Sequence, residues 1–202
     1  MAQVDAFVPE DAALVAARGR AGEVGLVPVA AATGAALRFL AAVTQARAVA
    51  ELGTGPGVSG LSLLRGMRPD GLLTTVDREP EHQRMARAAF ADAEEPTGRT
   101  RLIGGRAQEV LPRLADAAYD LVHVDLPLPD AVDLLPEAVR VLRSGGVLAV
   151  SRALAGGRAG EAGARDADAV AARTLARAVR DDERLTAVLL PTGDGLIAAV
   201  RG

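Results

Sequence analysis

A chain of 202 residues is long enough to bury one substantial α/β core, and with 50% of its residues hydrophobic and 24% charged it has the balance of an ordinary globular protein. Its only aromatic residues are one Tyr and three Phe, too few for base-stacking platforms, and a net charge of -3 lacks the basic surplus that a phosphate backbone demands, so nucleic acid is not an expected partner. The absence of cysteine excludes disulfides and thiolate-bound metals, and the longest uncharged stretch, Val24 to Leu37, contains Pro28 and falls short of the ~20 apolar residues of a membrane span. The chain opens on MAQVDAFVPEDAAL, which lacks the basic start of a signal peptide, so the expected location is the cytoplasm. Two alanine-rich helices are predicted next, over Glu10–Arg18 and over Val29–Ala46 behind Pro28. Arg47–Leu52 then reads as a short buried strand running into glycines. A helix at Val58–Met67, a strand at Leu72–Val76, a helix at Pro80–Asp92, a strand at Thr100–Ile103 and a helix at Ala107–Ala115 continue the alternation. Tyr119–Asp125 is the fourth predicted strand, Asp130–Leu142 a helix and Val147–Ser151 the fifth strand. A glycine-rich, mobile loop is expected after Ser151, then a helix over Asp166–Arg180. The last two strands, Leu185–Leu190 and Leu196–Val200, are joined by Pro-Thr-Gly-Asp-Gly as a hairpin. The expectation is a single domain over 1–202: helices on both faces of a mostly parallel sheet, closed by an antiparallel hairpin.

Glu51-Leu-Gly-Thr-Gly-Pro-Gly57 falls between the first strand and its following helix. Glycines there let the backbone turn tightly and approach a ligand, while the helix start offers free N–H groups. Gly55, Gly57 and Gly60 also fit the dinucleotide fingerprint, so the loop alone does not name its ligand. Asp77 ends the second strand, about 20 residues further on, where a carboxylate meets the ribose hydroxyls of an adenosine-bearing cofactor. Glu51 lies where dinucleotide-binding strands stay apolar; a carboxylate suits a cationic, amine-bearing ligand and repels pyrophosphate. Together with the terminal hairpin, it favours a methyl donor over a nicotinamide.

Glu51-Leu-Gly-Thr-Gly-Pro-Gly-Val-Ser59, Asp77, Tyr-Asp-Leu-Val-His-Val-Asp125 and Leu-Arg-Ser-Gly-Gly-Val-Leu148 occur in the order seen in class I methyltransferases. From about Val24 onward the chain resembles bacterial S-adenosylmethionine-dependent O-methyltransferases of the caffeoyl-CoA and catechol type. The resemblance implies a Rossmann-like seven-stranded sheet with a reversed last strand, a homodimer and a small hydroxylated acceptor. It implies a cofactor pocket formed by Val29, Glu51, Gly53, Thr54, Gly55 and Ser59, with Asp77 and Arg78 at the ribose, the Ala107 backbone at the adenine and Asp125 beside the transferring methyl group. It also implies that residues 1–46 cap the substrate side.

The departures bear on chemistry. Metal-dependent members hold a divalent cation with an Asp after strand four and an Asp-Asn pair after strand five; Asp125 matches the first, but the pair is Ser151-Arg152, and the chain has no asparagine. A guanidinium adds positive charge where oxygen ligands are needed, so no divalent metal is expected. All 23 basic residues are arginine, which removes the family's lysine base. His123 and Asp125, two apart on one strand and so on one side of it, are the candidates to take the acceptor's proton, against a role for His123 as filling beneath the site and for Asp125 as mere cofactor orientation. Arg152, Arg158 and Arg165 either attract an anionic acceptor or keep their loop solvated, and His82 reads as a surface residue. Two alternatives remain open: a binding protein that kept the pocket and lost catalysis, and an NAD(P)-dependent oxidoreductase.

Overall fold

The computed structural model describes residues 2–202, so Met1 lies outside the described residues. A one-turn helix that the sequence did not suggest, α1 (Ala2–Asp5), precedes α2 (Ala12–Glu23). Asp11 sets the start of α2, its carboxylate accepting from the Ala13 and Leu14 N–H groups, each at 3.1 Å. The next helix, α3 (Ala31–Val43), has no capping side chain of its own, and Asp5 supplies one by accepting from Ala32 N–H at 3.1 Å. Then come β1 (Ala48–Leu52), α4 (Val58–Gly66), β2 (Leu72–Asp77), α5 (Pro80–Asp92), β3 (Thr100–Gly104) and α6 (Ala107–Val110). Of these, α6 is shorter than expected because Pro112, lacking an N–H, turns the chain into a 3₁₀ turn over Leu111–Arg113. The remainder is β4 (Tyr119–Val124), α7 (Leu128–Val141), β5 (Leu142–Ser151), α8 (Ala167–Asp181), β6 (Leu185–Leu190) and β7 (Leu196–Arg201). Strand β5 begins at Leu142 rather than Val147, because the pairing with β4 resumes across an irregularity at Tyr119/Leu121.

The seven strands form one sheet in the order β3-β2-β1-β4-β5-β7-β6, parallel except for β7, which runs against both β5 and β6. This is the expected architecture. Successive residues of a strand face opposite sides, so Ala50, Leu52, Val122 and Val124 join the apolar layer under α7 and α8, while Val49, Leu73 and Leu121 join the one under α3, α4 and α5. No helix among the described residues is long and apolar enough to cross a membrane.

Asp120 ties three strand starts together. Its carboxylate accepts from the Arg47 and Ala48 N–H groups and from Arg143 Nε, all at 2.7 Å. Burial pushes its carboxyl up, but these N–H groups and the guanidinium outweigh burial and hold it below the usual aspartate value. A depressed carboxyl stabilises the fold above the unfolded pKa, near 3.9, and that contribution is lost as pH falls through the lower folded value. Asp120→Ala is therefore expected to lose about 2 kcal/mol at pH 7. Urea midpoints taken at pH 7 and at successive pH values below about 3.9 should show the gap between wild type and variant narrowing as the pH falls; a gap with no pH dependence would assign the loss to packing.

Candidate active site

In an open parallel sheet the crevice for a ligand forms beyond the carboxyl ends of the strands, where their order reverses. Here that place lies between β1 and β4, and it opens into a cavity of about 570 Å³, within the range of small-molecule sites. Gly53, Thr54 and Gly55 follow β1, Asp77 ends β2, and Asp125 and Arg152 follow β4 and β5; all line the cavity. Leu26 to Val29, ahead of α3, close one side, and the turn between β6 and β7 brings Asp194 to the wall.

The strand ends are tightly joined. Gly53 N–H donates to the Val76 carbonyl at 2.9 Å, and Asp125 N–H to the Leu52 carbonyl at 2.8 Å. Asp77 is oriented by three donors: Gly55 N–H at 2.9 Å and His82 Nδ1 at 3.1 Å on Oδ2, and Glu79 N–H at 2.9 Å on Oδ1. A carboxylate has about four acceptor positions, so one remains for a ligand hydroxyl. His82, expected at the surface, instead stands on the cavity wall as a partner of Asp77. Its position five residues beyond Asp77, one turn into α5, was the available signal.

Of the residues expected to line a pocket, Val29, Gly53, Thr54, Gly55, Ser59, Asp77, Arg78 and Asp125 do. Glu51, Ala107 and His123 do not. Ala107 is buried at the start of α6. Glu51 and His123 are fully buried, in a polar row that crosses the sheet. His123 Nε2 meets Ser151 Oγ at 2.9 Å, its Nδ1 faces Glu51 Oε1 at 3.4 Å, Glu51 Oε2 accepts from Thr75 Oγ1 at 2.7 Å, and Thr75 Oγ1 meets Thr54 Oγ1 at 2.7 Å. The cause is register: Glu51 pairs with Thr75 on one side and with His123 on the other, so all three side chains share a face. His123, proposed from sequence as a base, has both ring nitrogens engaged inside this row and no exposure to the cavity.

At the far end, Arg152 Nε donates to Asp125 Oδ1 at 2.7 Å and Nη2 to Oδ2 at 3.3 Å. Burial acts to lower the Arg152 guanidinium, but Asp125, by charge and hydrogen bond, and the charge of Asp194 outweigh it and hold it above the ordinary arginine value. Among the described residues no group of three or more His, Cys, Asp or Glu stands together to hold a metal ion. The segment after β5, expected as a mobile loop, is built of turns and hydrogen-bonded to the β6–β7 turn: Ala153 N–H to the Gly195 carbonyl at 3.1 Å, Leu154 N–H to the Asp194 carbonyl at 2.9 Å and Gly156 N–H to Asp194 Oδ1 at 2.7 Å. Asp168 and Asp194, neither singled out from sequence, complete a wall of five carboxylates, with Asp77, Glu79 and Asp125, against the three arginines Arg78, Arg152 and Arg158.

The model of a family described as O-methyltransferase matches residues 15–202. A Mycolicibacterium smegmatis protein whose name includes the words O-methyltransferase is 58% identical over 194 residues, 96% of this chain and 92% of that protein. Among solved structures, the cofactor-bound Rv0187 from MTB is 33% identical with a TM-score of 0.88, covering 98% of this chain and 93% of that one. The O-methyltransferase TomG from Streptomyces achromogenes, involved in tomaymycin synthesis and solved in complex with SAM, is 30% identical with a TM-score of 0.87, covering 97% and 92%.

Proposed function

The chain belongs to the O-methyltransferase family, and we propose that it moves a methyl group from S-adenosylmethionine to a hydroxyl oxygen of a small molecule without help from a divalent metal. The observation that carries this is the cavity at the strand-order reversal, with Asp77 on one side and the Arg152–Asp125 pair on the other. S-adenosylmethionine, when bound, supplies a methyl group on a sulfonium that is already an activated electrophile. The chain's own residues then have to bind, orient and exclude water.

The lining suits that cofactor. Asp77 has an acceptor position left for a ribose hydroxyl, with Arg78 beside it, and the Gly53–Gly55 turn and Ser59 offer close backbone and hydroxyl contact. The excess of carboxylates complements a ligand that bears a sulfonium and an ammonium and disfavours a pyrophosphate, so the nicotinamide alternative loses its support. Val29 and its neighbours supply an apolar side, in keeping with residues 1–46 as a cap over the acceptor end of a single catalytic domain. Glu51 and His123 act from beneath, by holding the Thr54 turn in place, rather than by touching a ligand. In the same proposal the enzyme works as a homodimer in the cytoplasm.

Thermal melts test it. S-adenosylhomocysteine should raise the melting point equally with and without magnesium, since a ligand of the native state stabilises by mass action. A rise with NAD only, or one that requires magnesium, would overturn the proposal. Asp77→Ala should weaken S-adenosylhomocysteine roughly 10- to 100-fold, the worth of a hydrogen bond to a charged group. An unchanged affinity would take Asp77 out of the cofactor site.

A further inference from the structure

Arg152 is an unusual occupant of its position. Its backbone lies in the left-handed region, φ +62, which is disfavoured for residues with a Cβ and recurs at functional sites. Its side chain is half-exposed on the cavity wall, and while Nε and Nη2 grip Asp125, Nη1 has no hydrogen-bond partner among the described residues. Asp125 after β4 and Asp194 from the β6–β7 turn act on its charge, and the same cavity wall carries Asp168 from the first turn of α8 and Arg158, itself paired with Asp166 at 3.2 Å.

Nothing on this side of the cavity is fitted to remove a proton from a hydroxyl. The groups on this side are carboxylates, Asp125 paired with Arg152, Asp194 accepting from Gly156 N–H, and Asp168, while His123 is buried and the chain has no lysine. Carboxylates in general sit about six pK units below a phenol and are poor bases toward it. His82 reaches the wall but is bound to Asp77 at the end of β2. With neighbouring strands about 4.8 Å apart, β2 and β5 are separated by about 14 Å, and a general base must approach within about 3 Å.

We propose that the acceptor is an acidic hydroxyl, a phenol or enol that is already an anion at neutral pH, and that Arg152 receives its oxygen. The proposal rests on the methyl-transfer function given above. In the step, a lone pair of the acceptor oxyanion forms the new O–C bond while the C–S bond breaks and its electron pair returns to sulfur. Anion and sulfonium become a neutral ether and a neutral thioether, and no proton moves. A planar guanidinium with a free edge is suited to hold such an oxygen, and its positive charge fills the electrostatic place a metal would otherwise take.

The test uses the full chain with S-adenosylmethionine and a chelator, and substituted phenols whose own pKa values run from about 7 to about 10. The pH at which the rate levels off should move with each phenol's pKa. One fixed inflection for all of them would reveal an enzyme-borne base and overturn the proposal. So would failure to methylate any acidic phenol while S-adenosylhomocysteine still raises the melting point. Arg152→Gln should lower kcat/KM for ionised phenols about 100-fold, with Arg152→Lys recovering part, and both variants should keep the S-adenosylhomocysteine shift; equal rates in Arg152→Gln and wild type would remove Arg152 from this role. A readout independent of turnover is the visible absorbance of 4-nitrophenol bound beside S-adenosylhomocysteine. Its bound pKa should lie below its free value in wild type and return toward it in Arg152→Gln, and an unshifted wild-type value counts against the proposal. Should S-adenosylhomocysteine itself fail to bind, methyl transfer is the claim that falls.

Discussion

Gly53→Ala is expected to lose roughly 4 kcal/mol of stability, the sum of a left-handed backbone and an overpacked contact. At Gly53 φ is +95, and a Cβ there would lie 2.2 Å from the carbonyl oxygen of Asp125. That oxygen belongs to backbone whose own N–H is fastened to β1, so it cannot swing away as a flexible side chain would. For a chain of this size the change corresponds to a fall in melting point on the order of 10 °C. Gly55→Ala is the control. Its φ is also positive, at +50, but nothing lies within 4 Å of its Cβ position, which faces the cavity. That variant should lose only about 1 kcal/mol of stability and lose S-adenosylhomocysteine affinity instead. Denaturation midpoints and ligand-induced melting shifts on both variants separate the two effects. If Gly53→Ala stays within about 1 kcal/mol of wild type, the close approach of the β1 and β4 ends is not what demands this glycine.

The contrast between these two glycines shows what was legible in the sequence. Local order was: a strand running into Gly53-Thr-Gly55, a helix behind it, an Asp ending the next strand and a terminal hairpin place the crevice and most of its wall. These signals work because each concerns neighbours in the chain and a single dihedral preference. What stayed hidden depends on pairs far apart in the chain. Arg152 and Asp125 are separated by 27 positions and meet only because β4 and β5 are adjacent. Asp194 reaches the cavity because β7 folds back beside β5, and Asp168 because α8 starts at that end. Same-side alternation grouped His123 with Asp125, but it could not tell a cavity from a core: His123 is buried within the sheet, and Asp125, two residues further along and past the end of β4, lines the cavity. A carboxylate and an imidazole inside apolar strand runs were the trace of the buried row, visible in Glu51 and His123 but interpretable only with the register between their strands.

That row makes Glu51 the second large expected effect. Thr75 has one hydroxyl hydrogen and donates it to Glu51, so Thr54 must donate to Thr75. In the tautomer that donates Nδ1–H to Glu51, His123 leaves Nε2 to accept from Ser151. Every polar hydrogen in the row thus runs toward one carboxylate. Glu51→Leu would strand two buried donors at once, Thr75 and His123, and at 1–3 kcal/mol for each such group the expected loss is about 4 kcal/mol. Glu51→Gln keeps an acceptor for Thr75 but turns an N–H toward His123, so a smaller loss, about 1–2 kcal/mol, is expected. Because Glu51 is not among the lining residues and its hydrogen bonds reach the wall through Thr75 and Thr54, the Gln variant should retain most of its S-adenosylhomocysteine affinity, in contrast to Asp77→Ala. Urea midpoints and ligand titrations on the Leu and Gln variants are the measurements. Should Glu51→Gln keep its stability and yet lose the ligand as severely as Asp77→Ala, the carboxylate senses the cofactor's charge directly, and the row is part of the binding site rather than its foundation.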